Sequence, residues 1–278
     1  MHTDNAGRLG GAVDVIDGNV VSDCDLAGYG VWAFVPYIAP RLTHNTITNC
    51  SVGLGAFGQG GTGTTVFSGN VVDGATAAGN SVGALASTSE PGFGTSDVAA
   101  SFTSNRISRC ATGLFVDEQS GGAAHVTASF NVIAGNKIGI AGAAVLGVNA
   151  ENNWWGCSAG PGGAGCDLAT AFDVNPWIVN QLAVSPALIT PGATATLTAN
   201  LTFNSDGVQP SGGTLPDGAP VNFASSPTGL AFTPASGVTT SGLASATFAA
   251  TAGISVCARV PANAPTAALE CVLPNITP

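Results

Sequence analysis

The chain has 278 residues, of which 8% are charged and 45% are hydrophobic, and its formal charge is −10 because 16 acidic residues face only 6 basic ones. This charge argues against nucleic acid as a partner, since phosphate binding needs a basic patch. No apolar run approaches the ~18 residues of a membrane span, and the abundance of Gly, Asn and β-branched residues predicts an all-β chain long enough for two domains.

The N-terminal residues MHTDN lack both the basic and the apolar region of a secretion signal. Scarce lysine, 7 cysteines and Thr/Ser/Asn-rich strands nevertheless indicate an exported protein. We therefore expect an extracellular or cell-surface location, with the signal lying upstream of residue 1.

Five segments in the first half align with one another. They read GNVVSDC, HNTITNC, GNVVDGA, SNRISRC and FNVIAGN, and their asparagines are 26, 25, 35 and 26 residues apart: Asn19, Asn45, Asn70, Asn105 and Asn131. Two residues after each asparagine stands a β-branched apolar residue: Val21, Ile47, Val72, Ile107 and Ile133. Three residues further on are Cys24, Cys50, Ala75, Cys110 and Asn136.

A repeat of this length, with short β-branched runs broken by Gly and Asn, predicts one coil of a parallel β-solenoid. Successive coils lie about 4.8 Å apart, so equal positions stack on one another. The Val/Ile positions then form an inward aliphatic ladder. The asparagines lie at a turn, where each amide bonds to its neighbours above and below.

The pattern Asn-x-[Ile/Val]-x-x-[Asn/Cys]-x-x-Gly-[Ile/Leu] resembles the right-handed parallel β-helix repeats of secreted bacterial proteins. The resemblance covers roughly residues 10–180 and implies about six coils. It is specific for the fold and not for one activity, because that family contains pectate lyases, polysaccharide hydrolases, epimerases and adhesins.

Residues 151–167, ENNWWGCSAGPGGAGCD, arrive where a sixth coil is due. A last coil has no successor to bury its face, so bulky aromatic residues there predict a lid made of Trp154, Trp155 and Trp177. The segment also resembles the end segment of bacterial secreted β-helix proteins. An active-site loop is the alternative interpretation.

The cysteines divide into two groups. Cys24, Cys50 and Cys110 share one column of the solenoid and are expected to be reduced and buried. Two disulfides are predicted, Cys157–Cys166 and Cys257–Cys271. No CxxC pair occurs and the three histidines are scattered, which argues against zinc.

Beyond residue 186 the chain becomes a series of short alternating segments separated by Gly, Pro or Asp, which predicts an antiparallel sandwich. The order TPGATATLTANLT, PDGAPVNFASSP, TTSGLASATFAATAG, ISVCARV resembles bacterial Ig-like domains of the Big or invasin type. We therefore predict two domains: residues 1–181, a β-helix with its lid, and residues 182–278, an Ig-like β-sandwich that implies a spacer or adhesive role.

A catalytic role needs converging acids, and the acid pairs are Asp23/Asp25 and Asp117/Glu118. These fall at different phases of the repeat, so they are not expected to converge. Asp117, Glu118 and Arg109 are the catalytic candidates, and surface charge is the preferred explanation for them. Lyases of this fold bind calcium through such acids, so a Ca²⁺ site is kept as an alternative. No other cofactor is predicted.

Aromatic residues crowd the first long connection: Tyr29, Trp32, Phe34 and Tyr37. They provide a basis for binding a glycan, with packing of the connection against the solenoid as the favoured alternative.

The sequence as a whole favours a non-catalytic structural, adhesive or assembly protein. The sequence shows no cap for the first coil, near residues 13–21, so either further coils precede residue 1 or another chain covers this coil, since an open strand edge pairs with other chains. We expect self-association into a filament, with a neighbour's Ig-like domain or C-terminal LPNITP as the donor, or contact with neighbouring cell-surface proteins. The alternative is a polysaccharide-active β-helix enzyme, a lyase or a hydrolase.

Overall fold

A computed structural model describes residues 1–278 except 5–11, 25–27, 35–38, 59–62, 75–80, 91–93, 144–147, 170–171, 262, 265 and 278. Within the described residues every regular element is a β-strand. The N-terminal part is a parallel β-helix and the C-terminal part is built from antiparallel sheets, so the predicted fold class is confirmed.

The β-helix has three parallel sheets, and each strand pairs with its counterpart in the next coil. Sheet 1 contains His2–Asp4, Tyr29–Phe34, Val52–Phe57, Val82–Ser87, Thr112–Asp117 and Ile138–Gly142. Sheet 2 contains Val15–Asp17, Arg41–Thr43, Thr65–Ser68, Val98–Thr103, Ala124–Ser129 and Val148–Asn149. Sheet 3 contains Val20–Ser22, Thr46–Thr48, Val71–Asp73, Arg106–Ser108 and Val132–Ile133.

One interval in the repeat is longer because two connections of the fourth coil are longer. Residues 74–81 join sheet 3 to sheet 1, where the next coil uses only residues 109–111. Residues 88–97 join sheet 1 to sheet 2 and contain a two-stranded antiparallel hairpin, Ser89–Glu90 with Gly94–Thr95. The extra residues fall between strands in the sequence, and the stacked strands keep their register.

The predicted asparagine ladder is present and buried. The Oδ1 atom of Asn105 accepts hydrogen bonds from both the backbone N and the Nδ2 of Asn70, each at 2.9 Å. The Nδ2 of Asn105 donates in turn to Asn131 Oδ1 and to the backbone carbonyl of Phe67. The same pattern runs from Asn19 to Asn153. Buried amides cost little when all their groups are paired, so this column fixes the coil register.

The aliphatic ladder faces the core as predicted, and Ile107 is only 1% exposed. The ladder also explains why a glycine recurs near the start of the strands of sheet 1. A Cβ atom on Gly30 would lie 2.6 Å from the Ile47 side chain, and one on Gly113 would lie 2.7 Å from that of Ile133. Each glycine therefore leaves room for a branched side chain of the ladder.

Two four-stranded antiparallel sheets form the C-terminal sandwich. One contains Ile178–Ser185, Thr194–Asn204, Leu243–Ala249 and Phe232–Thr233, and the other contains Ser236–Val238, Pro220–Ser226, Ser255–Arg259 and Leu269–Val272. The boundary expected after residue 181 falls inside the strand Ile178–Ser185, whose first residue already lies in the sandwich core.

The sandwich lies against the last three coils, along the outer side of sheet 3. Val132 and Ala134 of the β-helix belong to the sandwich core. Hydrogen bonds cross this interface from Ser104 Oγ to Thr214 O (2.8 Å), from the Arg106 guanidinium to Gly218 O, and from Asn204 Nδ2 to Asn152 Oδ1 (3.1 Å). The two domains therefore share buried contacts as well as a connecting strand.

Candidate functional site

Two consecutive tryptophans occupy the junction between the domains, and their side chains belong to different cores. Trp155 is fully buried in the core of the β-helix, where its ring lies over Gly139. Trp154 is buried in the sandwich core and its Nε1 donates to Val260 O at 2.9 Å. Alternation along an extended segment produces this division, because neighbouring side chains point to opposite sides.

Trp177 and the glycine-rich loop cover the same end of the β-helix. Trp177 is partly buried against the β-helix core and its Nε1 donates to Ser158 O at 3.1 Å. A disulfide joins Cys157 to Cys166 with a Cα–Cα distance of 5.0 Å, which closes the loop. These contacts fasten the loop over the end of the β-helix. The loop also meets the sandwich, because Ser158 N donates to Glu270 Oε1 at 2.6 Å.

Asp167 ends this loop as a buried acid that is 3% exposed. It stands one coil beyond Asn136, and its Oδ2 accepts from the backbone N (3.0 Å) and the Nδ2 (2.8 Å) of Asn136. Its Oδ1 accepts from Gly135 N. Burial raises the pKa of the Asp167 carboxyl to about 7, although these three donors act in the opposite direction. The acid thus terminates a polar column much as an asparagine would.

The prediction for Cys24 and Cys50 is wrong, because the structure contains a Cys24–Cys50 disulfide. Equal positions in adjacent coils lie at the strand spacing, and the Cα–Cα distance of 4.6 Å falls within the normal range for a disulfide. The predicted Cys157–Cys166 and Cys257–Cys271 pairs are both present. Cys110 is free and buried as predicted, and burial raises the pKa of its thiol to about 12.

The three catalytic candidates are not brought together. Arg109 lies before the strand Thr112–Asp117 and the two acids lie at its other end, so the length of the strand, about 16 Å, separates them. Arg109 pairs with Asp73 of the preceding coil. Asp117 accepts hydrogen bonds from Ser87 Oγ (3.0 Å) and from Gln119 Nε2. Glu118 Oε2 accepts from Ala124 N at 3.0 Å and closes the connection to sheet 2.

Other polar side chains on the surface of the β-helix form hydrogen bonds with side chains of the adjacent coil. Asp23 accepts from Asn49 Nδ2 at 2.7 Å, and Asp25 lies outside the described residues. Asp17 accepts from Thr43 and contacts His44, and these hydrogen bonds, the one from Thr43 first, lower its pKa. No group of three or more His, Cys, Asp or Glu side chains suited to a metal ion occurs in the described part of the chain.

Aromatic residues form a cluster on the outer face of sheet 1, which we call the aromatic patch: His2, Tyr29, Trp32, Phe34 and Phe57. The expectation that Tyr29, Trp32 and Phe34 lie in a connection is wrong, because all three belong to the strand Tyr29–Phe34; Tyr37 lies outside the described residues. Within the patch, Phe57 meets Tyr29 edge-on at 5.4 Å and Trp32 edge-on at 5.7 Å. Phe57 is 1% exposed, while Tyr29, Trp32 and Phe34 are partly exposed.

The aromatic patch continues into polar groups along the same sheet. In register, Trp32 is followed in the next three coils by Gly55, Leu85 and Phe115. In the adjacent row, Phe34 and Phe57 are followed by Ser87 and Asp117. The outer face therefore changes from aromatic to hydrogen-bonding groups within four coils.

A crevice of about 180 Å³ lies between the domains, lined mainly by Phe130, Ile178, Leu201, Pro210 and Leu215. No titratable side chain lines it among the described residues. Phe130 of the β-helix and apolar residues of the sandwich line this crevice, and none of these side chains can act as an acid or a base.

Comparison with models of protein families, with curated proteins and with solved structures finds no match. Within the described residues, no helix has the length and apolar character needed to cross a membrane.

Proposed function

We propose that this chain is a non-catalytic structural and adhesive module of a bacterial extracellular or cell-surface protein. The observation that carries the proposal is the shared interface: Trp154 of the β-helix lies in the sandwich core while Trp155 closes the β-helix core. An interface with buried apolar contacts opposes relative motion of domains, so the two parts are suited to act as one rigid body.

The cysteine chemistry supports the proposed location. Six of the 7 cysteines form three disulfides. Disulfides persist in oxidising compartments such as the cell exterior and are rare in the cytosol. The antiparallel sandwich and its resemblance to Big or invasin-type domains support the spacer role within such a protein.

Assembly is proposed to use the first coil. The strands Val15–Asp17 and Val20–Ser22 lie at the edges of sheets 2 and 3, and their Val15 and Val20 side chains are 59% and 79% exposed. Edge strands with exposed apolar residues pair with strands of other chains. In the sandwich, Leu269–Val272 is an edge strand beside the loop that closes the β-helix, since Ser158 N donates to Glu270 Oε1, and Leu273 after it is exposed. Pairing of these two edges between copies is a head-to-tail contact that extends into a filament.

Negative-stain electron microscopy and light scattering over a range of protein concentrations test the assembly. The wild type is expected to form linear oligomers as concentration rises, and Val20→Asp or Leu273→Asp is expected to disperse them. Leu188→Asp, which changes an exposed leucine outside both edges, is the control. A wild type that stays monomeric at the highest concentration would contradict the filament.

Incubation with polysaccharides tests the absence of catalysis. Unchanged polymer length after prolonged incubation with neutral and acidic polysaccharides is expected. Release of shortened products by the wild type, lost in Asp117→Asn or Arg109→Ala, would show instead that the chain is a polysaccharide-active enzyme.

A further inference from the structure

We propose that the outer face of one sandwich sheet binds the first coil of a second copy of this chain through an ion pair between Arg259 and the Asp23 of that copy. The inference rests on the self-assembly proposed above and names the residues that select the partner. The sheet, which we call the disulfide sheet, contains Ser236–Val238, Pro220–Ser226, Ser255–Arg259 and Leu269–Val272.

Arg259 is a partly buried cation that forms no ion pair within the described residues. It alternates with Ala258 and Val260, which lie in the sandwich core, so its side chain belongs to the outer face. In the neighbouring strands it stands opposite Asn222 and Leu269, neither of which is an acid. Its Nε is buried without a hydrogen-bond partner. A buried donor left unpaired costs free energy, so an acid brought by another molecule would stabilise this face.

Glu270 is the only acid in the four strands of the disulfide sheet, and it faces away from Arg259. It stands opposite Ala258, a core residue, so its side chain points between the two sheets. Its Oε1 accepts a hydrogen bond from Ser158 N in the loop that closes the β-helix. Glu270 therefore fastens that loop and leaves Arg259 for a different acid.

The outer face around Arg259 is apolar, unlike the outer face of the other sandwich sheet. Leu269 beside it is 40% exposed, and Leu273 just beyond the edge strand is 61% exposed. The other sheet instead carries hydroxyl groups outward, and those of Thr198 and Ser245 bond to each other. Exposed apolar residues around an arginine are typical of the centre of a protein interface.

The first coil offers surface of the matching kind. Within the first 25 residues there are 5 of the 16 acidic residues and a single basic one. Asp23 directly follows the strand Val20–Ser22, whose Val20 is 79% exposed. The Oδ1 of Asp23 accepts from Asn49 Nδ2 at 2.7 Å, which holds the carboxylate in place while its Oδ2 is left for a guanidinium group.

Within one chain the two charged groups belong to different parts of the molecule. The sandwich lies against the last three coils, where Ala264 packs on Gly135. Asp23 belongs to the first coil, four coil steps or about 19 Å along the β-helix axis from Gly135. The acid and the base therefore pair between copies. Because they lie on different surfaces of each copy, the contact repeats head to tail.

Exchange of the two charges tests the proposal, with light scattering and sedimentation velocity as readouts. Arg259→Asp and Asp23→Arg should each raise the protein concentration needed for assembly about tenfold, because attraction is replaced by repulsion. Both changes in one chain should restore assembly. A mixture of the two single variants should restore it as well, since every contact between the two kinds of chain again joins an acid to a base.

Two variants outside both surfaces are the matched controls. Asp206→Arg reverses an exposed acid in a sandwich turn, and Thr194→Asp adds an acid to the other sandwich sheet. Both should assemble as the wild type does. Circular dichroism checks that every variant is folded. Arg259→Gln, which removes the charge and keeps a polar side chain, replaces Arg259→Asp if the latter does not fold, and a smaller increase in the concentration is then expected.

The outcomes separate the ion pair from the proposed assembly. If either single variant assembles at the wild-type concentration, if neither combination recovers, or if the controls lose assembly equally, the ion pair is wrong while the filament stands. A wild type that stays monomeric would overturn the pair and the filament together. The non-catalytic function is then still decided by the incubation with polysaccharides.

Discussion

At the scale of single residues, the corner before each ladder asparagine demands a left-handed backbone. The residue in this position has a positive φ in all six coils: Gly18, His44, Gly69, Ser104, Phe130 and Asn152. Glycine and asparagine adopt this conformation readily, and a bulky residue rarely does. Phe130 is therefore exceptional, and its ring packs against the sandwich, where a Cβ atom on Gly213 would lie 2.5 Å from it. The contact with the second domain accounts for the aromatic residue at this corner.

The disulfides give a first test at this scale. Peptide mapping without reduction is expected to find Cys24–Cys50, Cys157–Cys166 and Cys257–Cys271, with Cys110 alkylated only after denaturation because its thiol is buried. Removing the first pair by the double change of Cys24 and Cys50 to Ser should cost about 3 kcal/mol of stability. Alkylation of Cys24 in the native protein would show that the bond between the first coils is absent.

Asp167 predicts a pH dependence of stability. Its pKa is about 7 in the folded protein against 3.8 for an ordinary aspartate, so the folded state holds the proton more tightly than the unfolded state. The contribution of Asp167 is therefore fully favourable below about pH 4 and is lost as the pH rises towards 7. Asp167→Asn keeps an oxygen for the Asn136 donors and cannot ionise.

Thermal melts of wild type and Asp167→Asn between pH 4 and pH 8 measure this effect. The melting temperature of the wild type relative to the variant should fall across this range, by an amount that reflects a few kcal/mol. A constant difference at every pH would show that the Asp167 carboxyl ionises as it does in the unfolded chain.

At the scale of strands and coils, periodicity made the β-helix predictable. A column repeats every coil, so Asn105 and Ile107 could be assigned to a turn and to the core without knowledge of distant contacts. The same logic fits Cys24 and Cys50, whose shared column puts them within disulfide range, although free thiols were expected there. The strand Tyr29–Phe34 was not predicted: Gly30 lies 11 residues after Asn19, whereas Gly113 lies 8 residues after Asn105, so the aromatic residues that follow Gly30 were assigned to a connection.

Ile107→Asp tests the register of the ladder. The side chain lies between Val72 and Ile133 of the adjacent coils, so an aspartate there buries an unpaired charge and should cost several kcal/mol in the β-helix. Val20→Asp is the control, since Val20 lies in the same sheet with its side chain 79% exposed. Equal melting temperatures for Ile107→Asp and wild type would mean that Ile107 does not face the core.

At the scale of the whole molecule, the sequence predicted two domains but not how they are joined. Ser104 and Thr214 are 110 residues apart, and no repeat or alternation relates them. The same is true of Arg106, whose guanidinium donates to Gly218 O and whose pKa is lowered by burial in the interface. The tryptophan pair was predicted as a lid, yet nothing local indicates that Trp154 faces the sandwich, because that depends on where the second domain docks.

Trp154→Ala tests whether the two domains behave as one unit. Wild type is expected to unfold in a single calorimetric transition, since Trp154 connects the β-helix to the sandwich core and bonds to Val260 O. Removing the ring leaves a cavity and an unpaired carbonyl, at a cost of about 3–5 kcal/mol. Because that loss falls on the interface, the single transition should split into two. Trp32→Ala, which removes the same ring from the outer face of sheet 1, should leave one transition. A single unshifted transition in Trp154→Ala would mean that the domains are coupled by the connecting strand and the other contacts alone.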